Sequence, residues 1–376
     1  MIPGLAHRHP SRGRRPPHLL ALVATLALLV LGCQSPSGGA PSAKPQAAGP
    51  PAAAPQAASA PTAAPQPAAQ AAPAREKATF RLDWVASGYH APFFLALARG
   101  YYTDQGLDLE IGDGRGSTTT VRVVGAGTDT FGMASQATVA LAIAEGVPVR
   151  AIAGIIQKMP EGIISLQETG ITTPKDVEGR TMAYTPGSSG ELLFPAFAAA
   201  TGIDESRVAQ VNVDAGAKAT TVLQGRADFM ADWGFTQLPI FRAQGKTGSV
   251  ILYADSGVNV LGHGLFAGLD TIRDKPEIVH RFVSASLRGL DEATKDPEAA
   301  LDAMLQYRPE TKRDLLLEQF KGMGAHLRTA NSEGRPLGWQ SPDDWRQTSE
   351  LLLKYMDMKR PVPLDELYTN QFIPGS

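Results

Sequence analysis

From Thr79 to Phe266 short β-type runs alternate with helical runs, and the alternation runs twice. In the first round, Thr79–Asp83 (TFRLD) reads as a strand. Pro92–Arg99 reads as a helix, with Pro at its start and Gly100 just past its end. Asp108–Ile111 is a strand, Thr118–Gly125 a short helix, Thr130–Met133 a strand and Gln136–Glu145 a helix closed by Gly146. Val149–Ile156 (VRAIAGII) is nearly continuous in apolar residues, as a strand covered on both faces must be. Gly162–Leu166 is another strand. The second round has strands at Thr181–Tyr184, Gln210–Val213, Phe229–Ala231, Val250–Leu252 and Val258–Phe266. Its helices are Gly190–Ala200, Lys218–Gln224 and Leu238–Ala243. Two α/β units of similar size follow from this pattern.

The C-terminal third reads as helical. Pro276–Thr294 puts Val279, Phe282, Val283, Leu287 and Leu290 on one face at three-to-four spacing. Ser341-Pro342-Asp343-Asp344 reads as a helix start, with Ser as N-cap, Pro at N1 and acids in the first turn. Covering the first sheet with these helices is the most economical arrangement. Lobe 1 is then 77–168 plus 262–376, lobe 2 is 169–261, and two chain crossings form the hinge.

Composition narrows the chemistry. Residues 77–376 carry 29 basic and 36 acidic side chains, a net of −7. With that balance and no long basic run, nucleic acid is excluded as a partner. A body of this size needs no disulfides, and the chain's one cysteine, Cys33, precedes it. Cysteine-rich zinc and iron–sulfur sites are therefore excluded, and so is a cysteine nucleophile.

Residues 1–32 read as an export leader. Arg8 to Arg15 form a basic n-region, and Leu19–Leu31 is an apolar run of 13 residues. A bilayer span needs roughly 20 residues, so the run fits a signal-peptide h-region. Val30-Leu31-Gly32-Cys33 resembles the bacterial lipobox, which implies lipidation of Cys33. Acyl chains anchor by about 0.8 kcal/mol per buried CH₂. Residues 33–76 then form a tether. Of residues 34–76, 17 are Ala and 10 are Pro, so continuous helix is forbidden and no core can form. The expected location is a membrane-anchored lipoprotein facing the periplasm or cell exterior.

Ligands of open α/β sheets bind beyond the C-terminal ends of strands, near helix N-termini. Applied strand by strand, that rule selects Asp83, Trp84, His90, Ser117 and Gln136 in lobe 1. In lobe 2 it selects Ser188, Ser189, Glu191, Asp232 and Trp233, with Asn259 near the return crossing. Each also has a structural reading: a core tryptophan, a turn-capping aspartate, a helix-start amide or a solvated glutamate. Asp83, Glu191 and Asp232 stand against one clear cation, Arg115. Three acids at a partly dry site oppose an anion, so a neutral or weakly basic polar ring fits better. An inward-facing Arg115 would instead admit a carboxylate or phosphate. No His-Glu-x-x-His pattern, Gly-x-Ser-x-Gly elbow or Walker loop is present, so the expectation is a non-enzyme with no catalytic residue, cofactor or metal.

Several stretches resemble one family closely. They are Leu82-Asp83-Trp84, His90-Ala91-Pro92-Phe93-Phe94, Ala98-Arg99-Gly100-Tyr101-Tyr102 and Gln105 to Ile111. Gly116-Ser117, Gly125 to Gly132, Thr173 to Arg180 and Gly257 to Leu265 continue the match. The family is the substrate-binding proteins of ABC importers in the nitrate/sulfonate/thiamine-pyrimidine-precursor group, and the resemblance spans nearly all of 77–376. It implies a type II periplasmic-binding-protein fold, with two α/β lobes joined by a two-crossing hinge and closing on a small molecule. It also implies an ABC permease as partner, a monomer, and ligand roles for Trp84 and Ser188–Glu191. Asp83-Trp84 looks most like the pyrimidine-precursor branch. Sulfonate, nitrate, taurine or an aromatic acid is the alternative within the family. A eukaryotic branch of the fold makes the thiamine pyrimidine and carries a cysteine-rich motif, which this body lacks. Leu261 and His263 depart from the Tyr and Asn common in relatives.

Overall fold

A computed structural model describes residues 75–376. The leader, Cys33 and almost all of the tether lie outside the described residues; Glu76, assigned to the tether, opens the first strand.

The chain begins with strand β1 (Glu76–Arg81), helices α1 (Ala91–Ala98) and α2 (Tyr101–Asp104), and strand β2 (Leu107–Gly112). Helix α3 (Ser117–Gly125), strand β3 (Phe131–Ser135), helix α4 (Gln136–Ala144) and strand β4 (Val149–Lys158) follow. Next come β5 (Glu161–Leu166), β6 (Thr181–Tyr184), α5 (Ser189–Thr201), β7 (Ala209–Asn212) and α6 (Lys218–Leu223). After them lie β8 (Phe229–Trp233), α7 (Gly234–Ala243), β9 (Gly248–Leu252) and β10 (Leu261–Gly268). Six helices close the chain: α8 (Leu269–Asp274), α9 (Pro276–Lys295), α10 (Pro297–Tyr307), α11 (Arg313–Met323), α12 (Pro342–Tyr355) and α13 (Leu364–Leu367).

Two five-stranded mixed sheets result, ordered β2-β1-β3-β10-β4 and β7-β6-β8-β5-β9. In each, four strands run the same way and one inserted strand is antiparallel to both neighbours: β10 in the first, β5 in the second. This topology corrects the expected first crossing. Residues 162–166, expected in lobe 1, belong to the second sheet: Glu161–Ser165 pairs with Phe229–Trp233 and Gly162–Leu166 with Gly248–Leu252. The chain therefore crosses at Met159-Pro160, where proline ends β4's ladder partnership, and returns ahead of Leu261. An apolar run carries no information about which of two sheets will take it.

Local signals behave as the physics requires. Proline occupies the first turn of α1, and Gly100 just beyond it adopts the left-handed conformation (φ +73°). Ser341 Oγ accepts from the backbone N–H groups of Asp343 (3.1 Å) and Asp344 (3.4 Å) at the start of α12. Helix α7 starts four residues earlier than Leu238, springing directly from β8 with Trp233 as its N-cap and tolerating Pro239 inside. β10 begins at Leu261 rather than Val258, because Gly257 turns the chain (φ +87°) before pairing starts.

Val279, Phe282, Val283, Leu287 and Leu290 of α9 are all buried against lobe 1. Phe282 stacks on Phe131 of β3 with ring centroids 3.9 Å apart. Tyr102 is a core residue whose hydroxyl lies 2.9 Å from Ser286 Oγ. The C-terminal helices do not all cover the first sheet, however. Helices α9 and α10 rest on α1, but α11 lies against α7 and α12 against both α4 and α5. Gln319 of α11 ties the two lobes directly. Its Oε1 accepts from Gly88 N–H and its Nε2 donates to Thr236 C=O, both at 3.0 Å.

Candidate functional site

The segments that follow the C-terminal ends of β1, β2, β6, β7 and β8 converge on a cavity of about 170 Å³ between the two sheets. This is the crevice that a doubly wound sheet offers a ligand. Asp83 and Trp84 reach it from β1, Ser117 from the start of α3, Ser188 and Ser189 from the start of α5, and Asp232 and Trp233 from β8. Seven of the residues selected from the sequence are thus brought together.

The other four do not line the cavity. His90 is fully buried one layer back, with Nε2 2.8 Å from Asp83 Oδ1 and Nδ1 accepting from Ser87 N–H. Gln136 starts α4 as expected, but its side chain donates to Gln340 Oε1 at 3.0 Å, away from the crevice. Glu191 serves its own helix start: Oε2 accepts from Gly187 N–H and its N–H donates to Ser188 Oγ. Asn259 is exposed and borders a separate small pocket with Gln157 and Thr329. In each case a rule that locates loop positions could not say which way the side chain turns.

Sequence reasoning missed Glu161, Lys218, Thr236 and Gln319 at the cavity. Glu161 opens β5, which runs antiparallel to β8 and β9, so it lies beside their C-terminal ends although it begins its own strand, a place the strand-end rule does not cover. Lys218 at the start of α6 follows β7 and was readable by the same rule as Ser189.

The electrostatics are specific. Asp83 accepts from Tyr89 Oη at 3.0 Å and contacts His90, while His263 Nε2 stands 3.4 Å from its other oxygen. Burial opposes its charge, yet the two histidines and the tyrosine hold its carboxyl below the ordinary value. Burial also pushes His263 down to about 4, so its imidazole is neutral at pH 7. Ser117 Oγ accepts from Ser135 N–H and lies 3.3 Å from His263 Nε2. On the other side, Lys218 Nζ is 2.6 Å from Asp232 Oδ2, donates to Ala231 C=O, and stands 4.9 Å from the Trp84 ring centroid. Glu161 is buried, and its Oε1 accepts from Ser189 Oγ. Burial, then the Asp232 carboxylate, push its acid up to about 7. Arg115 does not enter: it is exposed and lines a neighbouring groove with Asp214 and Asn212.

Trp233 packs among aromatic neighbours, 4.8 Å from Tyr89, 5.4 Å from Phe235 and 4.6 Å from His263 between ring centroids. Trp84 keeps a partly exposed ring. The cavity thus combines one immobilised and one accessible indole, three carboxyl groups and a single ammonium. Among the described residues no group of three or more His, Cys, Asp or Glu side chains is placed to hold a metal.

The NMT1/THI5 like family model matches residues 87–300. The chain belongs to the NMT1/THI5-like family. Riboflavin-binding protein RibY of Chloroflexus aurantiacus is 27% identical over 95% of this chain and 98% of its own. A 4-amino-5-hydroxymethyl-2-methylpyrimidine phosphate synthase of Legionella pneumophila is 24% identical over 80% and 94%. Enzyme-named relatives are therefore not confined to eukaryotes. The formylaminopyrimidine-binding protein of Halalkalibacterium halodurans is 22% identical over 79% and 91%. The fold is that of periplasmic binding proteins. The alkanesulfonate-binding protein SsuA of Xanthomonas axonopodis pv. citri, bound to MOPS, superposes with a TM-score of 0.60 at 14% identity, over 79% of this chain and 99% of its own.

Proposed function

We propose that this family member is an extracytoplasmic solute-binding lipoprotein that delivers a small polar aromatic heterocycle to an ABC permease. The observation that carries the reading is the crevice itself: two indoles and three carboxyl groups with one cation, at the strand ends of both lobes. Aromatic contacts contribute about 0.5–1.5 kcal/mol each beyond burial and require a flat partner. An acid-rich, partly dry cavity disfavours an anion, so a neutral or weakly basic ring fits better than a sulfonate or nitrate.

Size separates two rings of that kind. Pockets for drug-sized ligands run roughly 300–1,000 Å³, whereas the free space in this partly open cavity is about 170 Å³. A single-ring aminopyrimidine fits that space best. A flavin is the second reading, favoured by the end-to-end likeness to RibY, and needs the lobes further apart. The protein binds rather than converts its ligand: the cysteine-rich motif of the eukaryotic synthase branch has no counterpart after Cys33.

Mass spectrometry of what co-purifies with the full chain, followed by calorimetric titration with aminopyrimidines, riboflavin, aromatic acids and alkanesulfonates, tests the ligand class. Stabilisation by the heterocycles alone supports it; stabilisation by sulfonates alone, or turnover of a pyrimidine precursor, overturns it. The anchor has its own test. Cys33→Ser is expected to abolish acyl labelling and release the protein from membranes.

A further inference from the structure

Three carboxyl groups reach the crevice, and two are already engaged. Asp83 is held by Tyr89 and His90, with His263 beside it. Asp232 pairs with Lys218 and accepts from Trp233 N–H at 2.7 Å. Glu161 differs. Ser189 Oγ donates to Oε1, while Oε2 is buried without a hydrogen-bond partner among the described residues. A buried carboxylate oxygen left unpaired costs about 1–3 kcal/mol or more, and of the unpartnered buried side-chain atoms among the described residues this is the one on a residue that lines the crevice.

The surroundings hold that oxygen in place. Gly190 at the start of α5 has no side chain; a Cβ there would sit 3.0 Å from Oε2 and 2.5 Å from Ala231 C=O. Glu161 has Cα partner Trp233 across the ladder of β5 and β8, so its backbone is fixed by the sheet. Oε1 and the backbone are anchored, the Trp233 side chain approaches the carboxyl and favours its charge, and Oε2 has no hydrogen-bond partner of its own among the described residues.

Resting on the reading of this crevice as the ligand site, we propose that Glu161 Oε2 is the acceptor that selects a ligand by an N–H edge, with Ser189 as its positioning residue. An aminopyrimidine offers that edge through its exocyclic amine and a flavin through its imide N–H, so the proposal does not depend on which ring binds. As a carboxylate, above pH 7, Glu161 rejects rings whose rim carries only acceptors, because two acceptors would face each other in a dry site. The acid's elevated value, about 7, makes capture pH-dependent. The groups that face it are Asp232 from β8, Lys218 from α6, Ser189 from α5, Trp233 at the β8 end, Tyr253 after β9 and Tyr89 from lobe 1. Both tyrosines are held well above their ordinary value by burial, so neither titrates near pH 7.

The test titrates the full chain with 4-amino-5-hydroxymethyl-2-methylpyrimidine and with riboflavin. Glu161→Gln keeps size and an acceptor for Ser189, but sets an amide N–H₂ against the ligand's N–H. Its affinity should fall about 10- to 100-fold, and wild-type affinity should weaken about tenfold per unit below pH 7. Trp84→Ala tests the crevice independently. If Trp84→Ala weakens binding and Glu161→Gln does not, the selection role is overturned and the crevice stands. If neither probe binds the wild type, the crevice reading falls, and this proposal with it. Should Glu161→Gln fail to fold, the wild-type pH series decides: an affinity flat from pH 5.5 to 8.5 overturns the proposal.

Discussion

Lys218 Nζ lies 2.6 Å from Asp232 Oδ2, and both side chains are largely withdrawn from water. The pair sits at the cavity wall in lobe 2, with the ammonium 4.9 Å from the Trp84 ring centroid of lobe 1. Desolvation of the two charges is offset only while both are present. Lys218→Met should therefore destabilise the protein by about 3 kcal/mol, because the largely dry Asp232 carboxylate loses its counter-ion and keeps only the Trp233 N–H. Adding Asp232→Leu should restore most of that loss. Urea unfolding of the three variants checks both parts, and equal stability of Lys218→Met and wild type would refute the account.

Glu161 and His263 make opposite demands on pH. The Glu161 acid is raised to about 7, so its favourable contribution is complete below its unfolded value near 4.5 and is lost as pH rises to 7. The His263 base is lowered to about 4, so its contribution is present above its unfolded value near 6.5 and is lost as pH falls toward 4. Between pH 4.5 and 6.5 the two slopes cancel, and ligand-free stability should be nearly flat. Glu161→Gln removes one slope. Its stability should then rise with pH across that window by about 3 kcal/mol, on the scale of 1.36 kcal/mol per pKa unit. Denaturant unfolding at four pH values measures it.

Gly116 and Gly187 bring the lobes into direct contact. Gly116 has φ +117°, and a Cβ on it would stand 2.7 Å from Gly187 C=O, the same oxygen that accepts from Thr118 N–H at 3.2 Å. Gly116→Ala should hold the lobes apart, through both the contact and the strained backbone. Heterocycle affinity should fall at least about tenfold, since contacts made only in the closed form are lost. Small-angle scattering should show a larger radius at saturating ligand.

Gln319→Ala removes both hydrogen bonds of the bridge between the lobes and leaves Gly88 N–H and Thr236 C=O without partners. At about 1–3 kcal/mol for each buried group left unsatisfied, the loss should be about 3 kcal/mol in thermal unfolding. A variant that melts with the wild type would show that water replaces the amide.

The strand and helix runs were legible because burial periodicity is a property of the local chain. The α9 face, the Ser341 cap and the Gly100 stop were all readable from spacing. So was the cluster at the strand ends, where Trp84, Ser189, Asp232 and Trp233 meet. Side-chain direction was not readable. His90 and Gln136 stand at the expected helix starts yet turn inward, toward Asp83 and Gln340, because a buried polar group goes where a partner is.

By itself, then, the sequence determined the alternation, the two units and the −7 body without cysteine. Those depend on composition and on contacts a few residues apart. Tertiary structure alone decided which sheet receives β5 and hence that Glu161 faces the crevice. It also decided that α11 straps the lobes and that Arg115 stays outside. These outcomes depend on pairings between residues tens to hundreds of positions apart, where many partners are equally apolar and only the assembled geometry selects one.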